Sequence, residues 1–170
     1  MFGKVKSLRE LFGIELNYAY DCEQKLVEDG LPAMIENVVS PEVRSALEQH
    51  LEETRKHVTR LEEVFDMIGI EPKTKSNAIL SEITDAAEDS VSNIEESPLR
   101  DAALIVNGNM VEHYEIALYG SLAAFARKLG LQKAVGLLEE TLAEEKKADA
   151  KLTQLGENLA NPDAARRQSA

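Results

Sequence analysis

The chain has 170 residues, of which 44% are hydrophobic, and its 31 acids against 19 bases give a formal net charge of −12. This length allows one domain with a sizeable core, while the acidic excess argues against nucleic acid or an anionic membrane surface as a partner. A single cysteine excludes an internal disulfide. The sequence also shows no signal peptide before Met1 and no apolar run of about 20 residues. Together with the single cysteine, these features predict a cytoplasmic protein.

The first predicted helix begins behind Ser7, which forms a capping box with Glu10. Its apolar residues recur at three- and four-residue spacing as far as Leu26. Gly30 and Pro32 then predict a kink or a restart, because proline removes a hydrogen bond from a helix interior.

A second long helix is predicted from Ser40 and Pro41, because serine caps helices and proline fits a first turn. This helix is expected to stop at Gly69. Residues 70–98 have a different character, and they predict a loop followed by a shorter helix that Ser76 would cap.

Ser97 and Pro98 repeat the start signal, so a third long helix is predicted as far as Gly130, and a fourth follows almost at once. Residues 161–170 are predicted to form a flexible C-terminal tail. The remaining residues, 1–160, are expected to form a single ferritin-like helical domain.

No segment alternates in the manner of a strand, so the predicted class is all-α. Short connections at Ser40 and Gly130 predict two antiparallel hairpins. The long 70–98 segment can cross the length of the bundle, which makes the second and third long helices parallel. This topology is a ferritin-like four-helix bundle with a long crossover that contains an extra short helix.

Charged side chains interrupt the apolar stripe near the middle of all four long helices. Several buried carboxylates at one depth repel each other unless cations compensate them. Counted from the two hairpin connections at about 1.5 Å per residue, most of these side chains fall within roughly two helical turns of one another. We therefore expect a metal site inside the bundle, with the candidate ligands Glu23, His50, Glu53, His57, Glu112, Glu115, Glu145 and Asp149.

His50 is the exception in this estimate, because it lies about two turns from the level of Glu23. It reaches the cluster only if the break between Gly30 and Pro32 shifts the register. For each candidate the alternative is a structural role, since a lone histidine or glutamate near an apolar stripe is more often solvated or satisfied than a ligand. Glu144 in particular is predicted to be solvated.

Taken together, five segments resemble the bacterial YciE/YciF family of ferritin-like proteins. They are LRELFGIELNYAYDCEQKLVEDGLPAM, HLEET, RLEEVF, VEHYEIALYG and ETLAEEKKADAKLTQL, and the resemblance extends over residues 7–159. It implies a homodimer of ferritin-like bundles, a dinuclear iron or manganese centre and an association with bacterial stress responses.

Ferritin-like di-iron bundles commonly carry Glu-x-x-His on two helices, and this chain has no such spacing. The oxygen-rich set that remains favours manganese or iron over zinc and copper. If the centre is reactive, it is expected to oxidise Fe(II) with oxygen or peroxide. Glu23 and Glu112 are expected to be terminal or semi-bridging ligands, and Glu53 and Glu145 are candidates for bridging ligands. His50 or His57 would be the nitrogen ligand. Glu115 and Asp149 would complete the coordination shell.

A second interpretation remains open. The chain could be a structural or interaction protein, without a functional metal, whose buried acids pair with Lys25, Arg55 or water.

Overall fold

A computed structural model describes residues 4–73 and 77–167, and every regular element within these ranges is helical. The predicted all-α class is therefore confirmed. In chain order the helices are α1 (Leu8–Lys25), α2 (Leu31–Asn37), α3 (Pro41–Ile68), α4 (Ala78–Asn93), α5 (Pro98–Lys128), α6 (Gln132–Leu155) and α7 (Asn161–Arg167).

The four long helices, α1, α3, α5 and α6, form the predicted bundle. Residues 20 and 23 of α1 lie against residues 62 and 57 of α3, so these helices run antiparallel. The loop before α3 lies beside residue 101 and His50 lies beside Glu112, so α3 and α5 run parallel. The predicted topology with its crossover is confirmed, because α4 lies between α3 and α5 in the chain and packs on α5.

Glycines in a left-handed conformation end α3 and close the α5–α6 connection. Gly69 has φ 69° and Gly130 has φ 74°. A side chain at such a φ is strained, so glycine is the residue that suits both positions. The two predicted stop signals are confirmed.

The cap of the crossover helix is Asn77, whose side chain accepts from the Leu80 N–H at 3.2 Å. The predicted cap, Ser76, lies outside the described residues. The Asn77 amide also donates to the Tyr114 hydroxyl at 2.6 Å, and Leu80 is fully buried. These contacts fix the start of α4 on the side of α5.

The chain does not break at Pro32. Instead, residues Leu26–Gly30 form a π-helical turn that leads directly into α2, and the Leu31 N–H bonds back to the Leu26 carbonyl. A π turn inserts a residue and rearranges the helical hydrogen bonds, so a proline without an N–H can follow it. The predicted interruption is thus a local widening of a continuous helix.

A second π-helical turn, Gly156–Ala160, precedes Pro162 in the same way and leads into α7. Residues 161–167, which the sequence assigns to a flexible C-terminal tail, are helical and pack against α5. A helix of seven residues is too short to be stable alone, so its packing against α5 holds it in place. Residues 168–170 lie outside the described part of the chain.

Two apolar clusters fill the bundle, one at each end. The first surrounds Phe12, Phe65 and Leu122, and the second surrounds Leu47 and Leu104. A layer of buried polar side chains lies between them. No helix within the described residues is long and apolar enough to cross a bilayer.

The connection between α2 and α3 is held by one buried carboxylate. Asp101, which is 1% exposed, accepts from the Val39 and Ser40 N–H groups at 2.8 Å each. The Arg44 guanidinium donates to two carbonyls of the same segment at 2.6 Å. Because Asp101 is buried, its carboxylate depends on these N–H groups for its hydrogen bonds.

We expect Asp101→Ala to lower the free energy of unfolding by about 2 to 3 kcal/mol, because it leaves two N–H groups unpaired. Urea denaturation followed by circular dichroism measures the change. Asp85→Ala, at an exposed position on α4, is the matched control and should shift the stability by less than about 0.5 kcal/mol. Equal losses in both variants would contradict the assigned role.

Candidate metal centre

The polar layer takes side chains from all four long helices. They are Glu23 from α1, His50 and His57 from α3, Glu112 and Glu115 from α5, and Glu145 from α6, and none is more than 6% exposed. Within the described ranges, no lysine or arginine forms an ion pair with these four glutamates. Lys25 pairs with Asp21 and Arg55 pairs with Glu52, so neither compensates the layer.

Two groups of donor atoms share Glu145. Its Oε1 lies 2.9 Å from His57 Nδ1, which in turn lies 3.4 Å from Glu23 Oε1. Its Oε2 lies 3.9 Å from His50 Nε2, which lies 3.1 Å from Glu112 Oε1. In each group the donor atoms lie within 4.8 Å of one another. We call Glu23, His57 and Glu145 the inner triad, and His50, Glu112 and Glu145 the outer triad.

The carboxylates are costly to ionise at this depth. Burial raises the pKa of Glu112 to about 7 and raises the pKa of Glu23. Burial, together with the charges of the neighbouring glutamates, raises the pKa of Glu115 well above its usual range. A cation within the layer would lower this cost because it favours the ionised form of each acid.

The histidines provide the positive charge of the layer. Burial opposes a charge on His57, but Glu23 and Glu145 raise its pKa to about 10. Burial also opposes a charge on His50, and the neighbouring carboxylates of Glu112 and Glu53 raise its pKa well above the usual range. Without a metal, two imidazolium groups therefore face four glutamates.

Several buried nitrogen and oxygen atoms of these side chains have no hydrogen-bond partner, although buried polar atoms are normally paired. They are Glu23 Oε2, His50 Nδ1, His57 Nδ1, Glu112 Oε2, Glu115 Oε2 and both carboxylate oxygens of Glu145. His57 Nδ1 lies near Glu145, but without hydrogen-bond geometry. Unpaired carboxylate oxygens next to imidazole nitrogens form the donor set that iron and manganese accept, so the residues fit such a group.

His57 Nε2, the ring nitrogen that faces away from the inner triad, contacts Glu144, which the sequence wrongly predicted to be solvated. Glu144 Oε2 lies 2.9 Å from His57 Nε2, and Arg60 binds the same carboxylate. A carboxylate at one ring nitrogen leaves the other nitrogen facing the site. Helical periodicity misses this residue, because Glu144 directly precedes Glu145 and neighbouring residues do not share a face.

Two further hydrogen bonds orient the glutamates. The Tyr119 hydroxyl donates to Glu23 Oε1, and the Cys22 thiol donates to Glu115 Oε1 at 3.6 Å. Burial raises the pKa of both the tyrosine and the cysteine well above their usual ranges. Both side chains are therefore neutral donors that select particular carboxylate orientations.

Two of the eight predicted residues lie outside the buried layer. Glu53 is half-buried, and its Oε2 lies 3.9 Å from His50 Nδ1. Asp149 instead lies 3.3 Å from His113, at the edge of the bundle. Glu115 belongs to the buried layer but to neither triad.

The structure also explains the predicted offset of His50 from Glu23. Counting from loops placed His50 about two turns from Glu23, and the two residues do belong to different triads. The layer is longer than one cation position along the bundle axis, so His50 contacts Glu112 rather than Glu23. The choice between His50 and His57 does not arise, because both lie in the layer.

The bundle and its buried carboxylate–histidine layer define a ferritin-like helical protein. The chain belongs to the family described as Domain of unknown function (DUF892), whose profile matches residues 7–165. The protein YciF of Escherichia coli (strain K12) is 35% identical over 161 residues, which cover 94% of this chain and 96% of that protein. These findings confirm the family resemblance.

Solved structures agree with this placement. The E. coli stress protein YciF matches with a TM-score of 0.87 and 35% identity over 92% of this chain and 99% of that one. YcfI from Rhodopseudomonas palustris matches with a TM-score of 0.85 and 34% identity over 90% and 98%. A protein from Xanthomonas campestris pv. campestris, with a TM-score of 0.75 and 22% identity over 95% and 99%, shares the fold.

We expect the free energy of unfolding of chelator-treated protein to fall by about 2 kcal/mol or more as the pH rises from 5 to 9. Folded Glu112 holds its proton to about pH 7, against an ordinary pKa of 4.5, and folded His57 holds its proton to about pH 10, against 6.5. The unfolded chain releases these protons earlier, so rising pH favours it. Urea denaturation at stepped pH measures the trend.

Glu112→Gln should flatten this trend between about pH 4.5 and pH 7, because the variant has no proton to release there. Glu48→Gln, at an exposed position of α3, should leave the trend unchanged. A wild-type stability that rises over this range would contradict the assigned protonation.

Proposed function

We propose that this chain binds two divalent cations, iron or manganese, in the polar layer, with Glu145 as the bridging ligand. The single observation that carries the proposal is the position of the two oxygens of Glu145. Oε1 faces His57 in the inner triad, and Oε2 faces His50 in the outer triad. A carboxylate can bridge two cations in this way, as the carboxylates of dinuclear bundle sites do.

The other residues have distinct roles in this proposal. Glu23 and His57 hold the inner cation, while Glu112 and His50 hold the outer cation. Glu115 supplies a further buried carboxylate beside them, and Glu144 keeps the His57 ring oriented. The two cations would offset the negative charge that no lysine or arginine of the described residues reaches.

The proposed role is a protective one in stress. YciF of E. coli is described as a stress protein, and we extend that association to this chain. An iron-loaded centre would supply the oxidation of Fe(II) by oxygen or peroxide. The protein's own residues would bind the ions, exclude bulk water and release protons from Glu112 and His50 as the ions enter. A cytoplasmic location suits a chain with one buried free thiol.

We also propose that two copies of the chain form a homodimer. Three large apolar side chains are exposed along one face of α5: Leu99 and Met110 are each 50% exposed, and Val106 is 53% exposed. Their spacing of seven and then four residues places them in one stripe. An exposed apolar stripe of this kind is typical of a protein–protein interface.

A structural or interaction protein without a functional metal is the second candidate. The observation that favours it is the charge of His50 and His57, since two imidazolium groups can offset part of the acidic charge without any metal. YcfI of R. palustris, a relative, is named as a candidate structural protein.

Metal analysis separates the two candidates. After anaerobic loading with Fe(II) or Mn(II) and gel filtration, we expect two ions per wild-type chain and at most one in Glu145→Gln, which removes the shared charge. Asp149→Asn is the matched control, since it changes the charge on the same helix outside both triads, and it should retain two ions. Mass spectrometry of the digested protein gives the count.

Fewer than one ion per wild-type chain, or equal counts in the two variants, would contradict the metal proposal and favour the structural candidate. The same iron-loaded sample tests oxidation. Fe(II) loss after addition of oxygen or peroxide should exceed the rate in buffer, and should return to that rate in Glu145→Gln. If Fe(II) binds but oxidises only at the buffer rate, the oxidase role fails and the binding role stands.

For the dimer, we expect light scattering to give twice the chain mass of 18.8 kDa. The double variant Val106→Glu and Met110→Glu should give the single mass, because two buried carboxylates would be unpaired in the interface. Ile79→Glu, at a 59% exposed position of α4, controls for added charge. A wild-type monomer would contradict the proposal.

A further inference from the structure

A groove between α3 and α6 reaches the outer triad from the surface. Its volume is about 420 Å³, and both His50 and Glu112 line it. Small residues such as Ala46 and Ala150 line it, and their short side chains leave the space between the two helix surfaces unfilled. We call this opening the α3–α6 groove.

The two residues that belong to the inner triad alone lie away from this groove. Glu23 and His57 are fully buried, and neither lines the α3–α6 groove. The Tyr119 hydroxyl donates to Glu23, while the Glu144 carboxylate contacts His57 Nε2. The two proposed cation positions therefore differ in their access to solvent, although they share Glu145.

Glu53 stands in the groove at the solvent side of His50. Its side chain is 18% exposed, its Oε1 accepts from the Gln49 amide at 3.0 Å, and its Oε2 lies 3.9 Å from His50 Nδ1. That nitrogen has no hydrogen-bond partner, although His50 is 94% buried (6% exposed). An unpaired buried nitrogen thus points toward a carboxylate that water can reach.

We infer that divalent cations enter through the α3–α6 groove, that Glu53 is the first carboxylate to bind them, and that the outer cation exchanges while the inner cation is retained. This inference rests on the proposed dinuclear site and names its route of loading. Glu53 is then a transfer residue rather than a bridging ligand. Lys147, which also lines the groove, balances Glu53 with a flexible ammonium group, which an arriving divalent ion can displace.

The first experiment measures release of Mn(II) from the full chain. Wild-type protein loaded with two Mn(II) ions is mixed with excess EDTA, and the ions that remain are counted after rapid desalting. We expect one ion per chain to leave quickly and the other to leave at least about tenfold more slowly, since only the outer position opens on the groove. Release of both ions in one phase would overturn the inference.

The second experiment measures the binding rate. Mn(II) is mixed with metal-free Glu53→Gln, and the loss of the free-ion electron paramagnetic resonance signal is followed. We expect the fast binding phase to slow about tenfold, because the carboxylate that attracts the ion is gone. The final count should stay at two ions per chain. Glu52→Gln is the matched control, since it removes the same charge from a neighbouring exposed position and should bind at the wild-type rate.

Equal rates in the two variants would overturn the transfer role of Glu53. A final count of one ion in Glu53→Gln would also overturn it, because Glu53 would then be a retained ligand. Either result leaves the dinuclear site in place. Wild-type protein that binds less than one Mn(II) ion fails the proposed function itself, and the inference with it.

Discussion

The electrostatic cost of burying four glutamates in one layer shapes the rest of this structure. Glu23, Glu112, Glu115 and Glu145 are at most 2% exposed and have no lysine or arginine partner among the described residues. Charges removed from water need opposite charge or protons to balance them. The two histidines of α3 can supply part of this positive charge from within the chain, and a pair of bound cations would supply it from outside. The carboxylate oxygens of the layer that have no hydrogen-bond partner are the basis on which we propose the cations.

The helical framework keeps this layer in place. An apolar cluster lies on each side of it, so the glutamates cannot move toward water without unpacking one end of the bundle. Neutral donors then set the orientation of individual groups: Tyr119 for Glu23 and Cys22 for Glu115. Such prearranged donors lower the reorganisation needed when an ion arrives. The difference between the fully buried inner triad and the outer triad, two of whose residues line the groove, arises from the same packing.

Much of the fold could be predicted because its signals are local. Ser40 caps α3 through the Val43 N–H, and Gly69 ends the same helix with a positive φ. The π-helical turns before Pro32 and Pro162 could not be predicted, since proline alone predicts an interruption and the packing decides how the chain continues. The six buried residues of the layer were all among the predicted candidates, because a charge in an apolar stripe is visible in the periodicity. Glu53 and Asp149 lie outside the buried layer and Glu144 contacts His57, which the sequence did not show, since position on a helix face does not reveal which side chains meet.

By itself, the sequence determined the class of the protein, the boundaries of its four long helices within a few residues, its crossover topology and the charged residues of the buried layer. These follow from capping, periodicity and loop length, which act over a few residues. Only the tertiary structure decided that Glu145 is shared between two triads, that Glu144 holds His57 and that Asp149 pairs with His113 instead. Those pairings join residues far apart in the chain, and their distances depend on how the helices pack against one another.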